Sequence, residues 1–203
     1  MQHSRPKVFF IGFNKTATTS FHRFFTKNGY KSYHYTYSDE INYPFNCLAW
    51  KMRDNIKKEK NILKGIDDAD VYSDMCYIDS NLYLYEANKH YRIIDKNFPN
   101  SYFIFQYRPI NDWIQSRLNH QKGNFYNKLS HNFHSEKDLI KNWKDSYKNY
   151  YKDITTYFKN YSRFVQFDIS KDDIQKISFF LQKDYRLRTK YWKKFNVSQK
   201  TPT

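Results

Sequence analysis

The chain has 203 residues, 39% of them hydrophobic and 21% aromatic, which excludes a disordered chain and predicts one domain with a real core, residues 1–203. Its formal charge of +15 suits an anionic ligand, but the basic residues are scattered, with short runs such as Lys57-Lys58 and Lys193-Lys194 and no long basic tail. No specific nucleic-acid partner is therefore expected, and no stretch approaches the ~20 apolar residues of a membrane span.

Residues 7–12 read as a buried first strand ended by Gly12. Residues 18–27 read as the first helix, with Phe21, Phe24 and Phe25 on one face and Asn28-Gly29 as its stop. Residues 31–37 are a candidate second strand followed by an acidic turn at Asp39-Glu40. Residues 45–66 are weakly patterned as helix, and residues 70–73 form a short strand. Leu84, Ala87, Tyr91, Ile94 and Phe98 recur at spacings of three and four, as do Ile140, Trp143, Tyr147, Tyr150, Ile154 and Tyr157. Each set predicts a helix with one core-facing stripe. Between them residues 102–107 read as a buried strand, and residues 110–120 as helix after Pro109. Residues 163–168 are a late strand, followed by a helix with Ser170 as N-cap and Asp172-Asp173 in its first turn.

Strands alternating with helices predict an α/β fold: a mainly parallel sheet with helices on both faces, whose ligand sits beyond the carboxyl ends of the strands. Three such ends carry polar residues: 12–20, Ser73-Asp74 and Tyr107-Arg108. The stretch "VFFIGFNKTATTSFHRFF" has the order of a phosphate-binding loop: strand, small residues, a lysine, then hydroxyls opening a helix. An ordinary strand–turn–helix needs one capping hydroxyl, not three. The nucleotide-triphosphatase pattern G-x-x-x-x-G-K-S/T does not fit: counted from Gly12, its second glycine falls on Ala17 and its lysine on Thr18, whereas the loop's lysine is Lys15. No clear second magnesium carboxylate follows an apolar strand, although Asp74 is a candidate. A displaced lysine with no evident metal site suits sulfuryl transfer, in which the transferring group carries less charge than a phosphoryl dianion and a lysine at the bridging oxygen stabilises the leaving phosphate.

At these residues the chain resembles the P-loop sulfotransferases, which use 3′-phosphoadenosine 5′-phosphosulfate (PAPS). Their 5′-phosphosulfate loop has a lysine or arginine, a variable residue, a glycine and two hydroxyl residues; here it is Lys15-Thr16-Ala17-Thr18-Thr19-Ser20. Ala17 stands where the family has glycine, a replacement free of strain only at negative φ. "FPNSYFIFQYRPINDWIQSRLNH" is similar to the family's 3′-phosphate segment: strand, arginine, and a serine eight residues on. The resemblance implies that Asn14, Lys15, Thr16, Ala17, Thr18, Thr19 and Ser20 hold the 5′ group. It implies that Arg108 and Ser116 grip the 3′-phosphate, with PAP as product and no metal required. Residues 186–196 are similar in outline to the segment that covers the nucleotide.

The acceptor, a small molecule or glycan presenting a hydroxyl or amine, needs a general base. Asp74 ranks first among Asp74, His34, Glu40 and His120. A nucleotide kinase with an altered loop, and a non-catalytic nucleotide- or nucleic-acid-binding protein, are the alternatives. Cys47 and Cys76 form no metal motif; one disulfide is open to them, but buried free thiols in a reducing, cytoplasmic compartment are expected. The first apolar stretch is too short for a signal-peptide core.

Overall fold

The computed structural model describes residues 5–40 and 42–195. Strands β1 (Val8–Phe10), β2 (Ser32–His34), β3 (Val71–Ser73), β6 (Tyr102–Tyr107) and β7 (Phe164–Asp168) form one sheet in the order β2-β3-β1-β6-β7. Every neighbouring pair in it is parallel, with Val8 opposite both Val71 and Tyr102. A separate antiparallel hairpin joins β4 (Cys76–Ile78) to β5 (Leu84–Glu86).

The period of two in the strands divides the core. Val8, Phe10, Val71, Ile104 and Phe167 face one side, where α1 (Thr18–Lys27) brings Phe21, Phe24 and Phe25, and α7 (Gln175–Leu181) brings Ile177 and Leu181. Phe9, Ile11, Tyr72, Phe103 and Phe105 face the other side. There they meet α2 (Leu48–Lys57), α3 (Tyr91–Asn97), α4 (Ile110–Leu118) and α6 (Glu136–Tyr157), with α5 (Asn124–Ser130) packed behind. Helices thus cover both faces, as the alternation of elements predicts. The chain lays β2 and β3 on one side of β1 and β6 and β7 on the other, so the crevice beside β1 is the switch point where a ligand is expected.

The strongest local signals place their elements closely. Helix α1 begins at Thr18 and ends where Gly29 turns left-handed at φ +85°. Helix α6 carries the stripe of Trp143, Tyr147, Tyr150 and Ile154, with Ile140 and Tyr157 half-buried at its margin, and is capped by Ser135 accepting from Asp138 N at 3.2 Å.

Three expectations are corrected. Residues 84–98 are not one helix: Leu84 belongs to β5, Ala87 to a 3₁₀ turn, and only Tyr91 onward is α-helix. Asp79 Oδ1 accepts from the N–H groups of Asn81 and Tyr83, and this Asp turn sets up the hairpin. The helix expected over 45–66 stops at Lys57, because Glu59 takes a left-handed φ of +52° without a glycine to announce it. Ser170 caps no helix: it donates to Asp168 Oδ1, and α7 starts after Asp173, which accepts from Gln175 N at 2.8 Å.

Candidate active site

Residues 11–17 leave β1 as an irregular loop and enter α1. Gly12 is required by close approach: a Cβ there would lie 1.9 Å from the carbonyl oxygen of Gln106, while its N–H donates to Gln106 Oε1 at 2.9 Å. The loop is thereby pinned to β6, the strand that delivers Arg108. Trp113 Nε1 donates to the carbonyl of Asn14 at 3.0 Å, fixing the next turn from α4. Thr16 is buried and its hydroxyl donates to the carbonyl of Phe13.

Lys15 and Ala17 both have φ of +65°. Two left-handed residues so close together wrap the chain into a concavity of N–H groups, the geometry of an anion nest. Among the described residues, none of the backbone N–H groups from Asn14 to Thr19 donates to a protein acceptor. They are the free donors of a helix start, and the α1 dipole stands behind them. The condition for a strain-free Ala17 is not met, since the residue is the left-handed N-cap of α1 where glycine would rest more easily.

Around this concavity the structure gathers most of the sequence-predicted residues. Lys15 Nζ lies 3.1 Å from His120 Nδ1. Burial lowers the lysine's pKa; the nearby Asp74 charge opposes that, and Arg108 adds to it. Burial, then the Lys15 charge, lowers that of His120, so a neutral imidazole accepts from the ammonium. Arg108 NH1 donates to the carbonyl of Lys15 at 3.4 Å, while its buried Nε has no partner among the described residues. Tyr147 donates to the Arg108 carbonyl at 2.6 Å, holding the chain where it leaves β6. Ser116, on α4, is buried.

On the other side of the loop, His34 ends β2 and Asp74 follows β3. Their Nε2 and Oδ2 are 3.4 Å apart, and His34 Nε2 also reaches Thr18 Oγ1 at 3.2 Å and Thr19 Oγ1 at 3.5 Å. Asp74 takes a left-handed φ of +53°, which turns its carboxylate back from the strand end toward His34. Burial lowers the pKa of His34, offset in part by Asp74.

Two predicted residues lie apart from this group. Ser20 is buried and its hydroxyl accepts from Phe195 N at 3.0 Å, anchoring the C-terminal segment across α1. Arg188 N donates to Asn28 at the C-cap of α1, Trp192 packs on Phe21 and Phe24, and Lys194 Nζ reaches the Ile169 carbonyl beyond β7, so residues 188–195 run along α1 toward its first turn; Asn196 lies outside the described residues. Glu40 is exposed in the loop after β2, where it lines a separate open cleft of about 360 Å³ with Tyr35, Ser38 and Asn42. Gln106, Trp113 and His22 are not legible in the sequence as site residues. Gln106 and Trp113 look like strand and helix core and are found only by their contacts to the loop. His22, whose ring centroid is 5.3 Å from that of His34, is lowered to about 4 by burial, then by His34 and Arg23.

Among the described residues no helix is long and apolar enough to cross a membrane, and no three His, Cys, Asp or Glu side chains are grouped to hold a metal. No curated protein matches the chain. A solved sulfotransferase from Alicyclobacillus acidocaldarius is similar with a TM-score of 0.48 and 14% identity, over 92% of this chain and 85% of that one. The model of the family described as the sulfotransferase domain matches residues 7–130, from the start of β1 through the phosphate-type loop, Asp74, Arg108 and His120. That match spans more than half of the sequence, and the chain belongs to the sulfotransferase domain family.

Proposed function

We propose that the protein transfers a sulfuryl group from PAPS to a hydroxyl or amine acceptor. The observation that carries this reading is the convergence of Lys15, Arg108 and the Asp74–His34 pair on a loop whose N–H groups from Asn14 to Thr19 have no acceptor among the described residues. The Nε of Arg108, without a partner among the described residues, fits a phosphate in the same crevice. When bound, the donor supplies a sulfuryl group on a phosphate leaving group.

The chain's own groups have distinct tasks. The nest and the Thr18 and Thr19 hydroxyls receive the 5′ anion, while Arg108 and Ser116 hold the 3′-phosphate. Lys15, steadied by His120, puts positive charge where the leaving oxygen becomes negative. Asp74 Oδ2 and His34 Nε2 receive the acceptor's proton as a pair. Residues 189–195 cover the nucleotide, with Phe195 held under the Arg23 guanidinium at 4.2 Å. The acceptor enters over the cleft lined by Tyr35, Ser38, Glu40 and Asn42, whose aromatic, hydroxyl and amide groups suit a carbohydrate; Glu40 then contacts acceptor and is not the base. The free, buried thiols Cys47 and Cys76 support a reducing, cytoplasmic setting.

The test is transfer from radiolabelled PAPS to a panel of sugars, phenols and amines. Labelled product formed by the wild type and lost in Lys15→Ala is expected. Equal labelling by both proteins would remove Lys15 from the mechanism.

A further inference from the structure

Arg117 is 2% exposed, a position where a guanidinium is rarely left without a task. It sits on α4, one residue after Ser116 and one turn after Trp113. Its Nε donates to Asn14 Oδ1 at 3.0 Å, and its NH2 donates to Glu86 Oε1 at 2.6 Å. Trp113 at 4.1 Å, Trp143 at 5.2 Å, Phe13 at 5.5 Å and Phe125 at 5.8 Å surround the cation with ring faces and edges. Lys89 balances the other oxygen of Glu86 at 2.8 Å.

The two partners of Arg117 lead to opposite halves of the site. Asn14 directly precedes Lys15, and its carbonyl is already held by Trp113 from the same face of α4. Glu86 ends β5 and pairs in register with Cys76, whose N–H donates to the carbonyl of Asp74 at 2.9 Å. One rigid fork therefore spans from the loop that carries the lysine to the hairpin that carries the carboxylate. Packing alone would be served by an apolar side chain, and a buried ion pair alone adds little stability over one. Fixed separation of two reacting groups is what the fork supplies, and an error of about 1 Å in such a separation lowers rates by about 10²-fold.

We propose that Arg117 is a positioning residue that sets Lys15 against the Asp74–His34 pair by tying Asn14 to Glu86. The inference rests on the sulfuryl-transfer reading. It predicts that Arg117→Lys, which keeps the charge but loses the fork, lowers kcat at least about tenfold while PAP affinity changes less than about threefold. Asn14→Ala, which leaves Arg117 paired to Glu86, is expected to lose a similar factor in kcat, and the double variant no more than either alone.

The experiment measures kcat, PAP affinity and the melting temperature for the wild type, both single variants and the double. A merely structural Arg117 would lower the melting temperature with kcat per folded molecule within twofold of the wild type, and that result overturns the proposal. Additive losses in kcat would overturn it too, since Asn14 and Arg117 would then act separately. The melting temperatures, measured without ligand, keep the two readings apart. Non-additive melting temperatures with no transfer by the wild type would show the tie standing and the sulfuryl-transfer reading failing, and with it the positioning role given to Arg117.

Discussion

The two sides of the crevice are built differently. On the side proposed for the donor, Asn14, Thr16 and Thr18 are buried, Gly12 is clipped to Gln106, and Trp113 and Tyr147 fix the backbone from behind. On the side proposed for the acceptor, the loop after β2 exposes Asp39, Glu40 and Asn42, with Tyr43 and Phe45 about half exposed. A site that must hold one nucleotide in one pose gains from buried anchors, because orientation is established before the reaction. A surface that meets the variable partner does not need them. The contrast teaches where changes will act: chemistry on the donor side, and at most acceptor preference on the other.

The largest effect expected is from Lys15→Ala. Removing a preorganised charge from the developing oxyanion should lower turnover about 10²–10³-fold, with the melting temperature little changed because Lys15 supports no core packing. Asp74→Asn comes next. Loss of the base should cut turnover about 10²-fold or more with PAP affinity kept, measured by single-turnover kinetics beside a binding titration. Normal turnover in this variant would move the base to another group.

The histidines give a pH effect of middle size. His22, lowered to about 4, and His34, also lowered, both bind protons more readily unfolded than folded. Stability is therefore whole above pH ~6.5 and falls as pH drops toward 4, by ~1–3 kcal/mol. Urea midpoints at pH 7 and 4.5 measure it, and His22→Gln should flatten the slope. Turnover has the same sign, since a protonated His34 no longer shares the acceptor's proton.

Smaller still is Ala17→Gly. Relieving a left-handed alanine should raise stability by ~1 kcal/mol, about 2–4 °C in melting temperature for a chain of this size, and leave donor binding intact. A lower melting temperature would mean that the alanine methyl packs better than its backbone suffers. Smallest is Glu40→Gln, for which turnover within twofold and a change confined to the acceptor KM are expected. A large loss of kcat there would erase the distinction between the two sides.

How much the sequence discloses follows the same division. Helix α1 and strand β6 announce themselves, the first by hydroxyls, a phenylalanine face and Asn-Gly, the second by five apolar or aromatic residues among six positions bounded by turn residues. The β4–β5 hairpin is hidden because three-residue strands are too short to show a period, and Leu84 and Ala87 happen to extend the spacing of the next helix. In the candidate site, Lys15, Asp74 and Arg108 are legible as polar residues at strand ends, where parallel sheets place their chemistry, whereas His34 reads as lying within a strand over 31–37 and comes to a strand end only because β2 stops there. Arg117 is not legible. It reads as an ordinary surface arginine on a helix, and its partners lie 103 and 31 residues away in the chain. The left-handed turn at Ala17 is equally silent, because only the path of the loop requires it.

The most direct test of the account is a calorimetric titration with PAP beside one with ATP and magnesium. Saturable PAP binding is predicted, weakened about tenfold or more in Arg108→Ala by loss of a charge-assisted contact, with little binding of ATP and magnesium. Binding of ATP and magnesium without PAP would contradict the account and make Lys15 the lysine of a variant kinase.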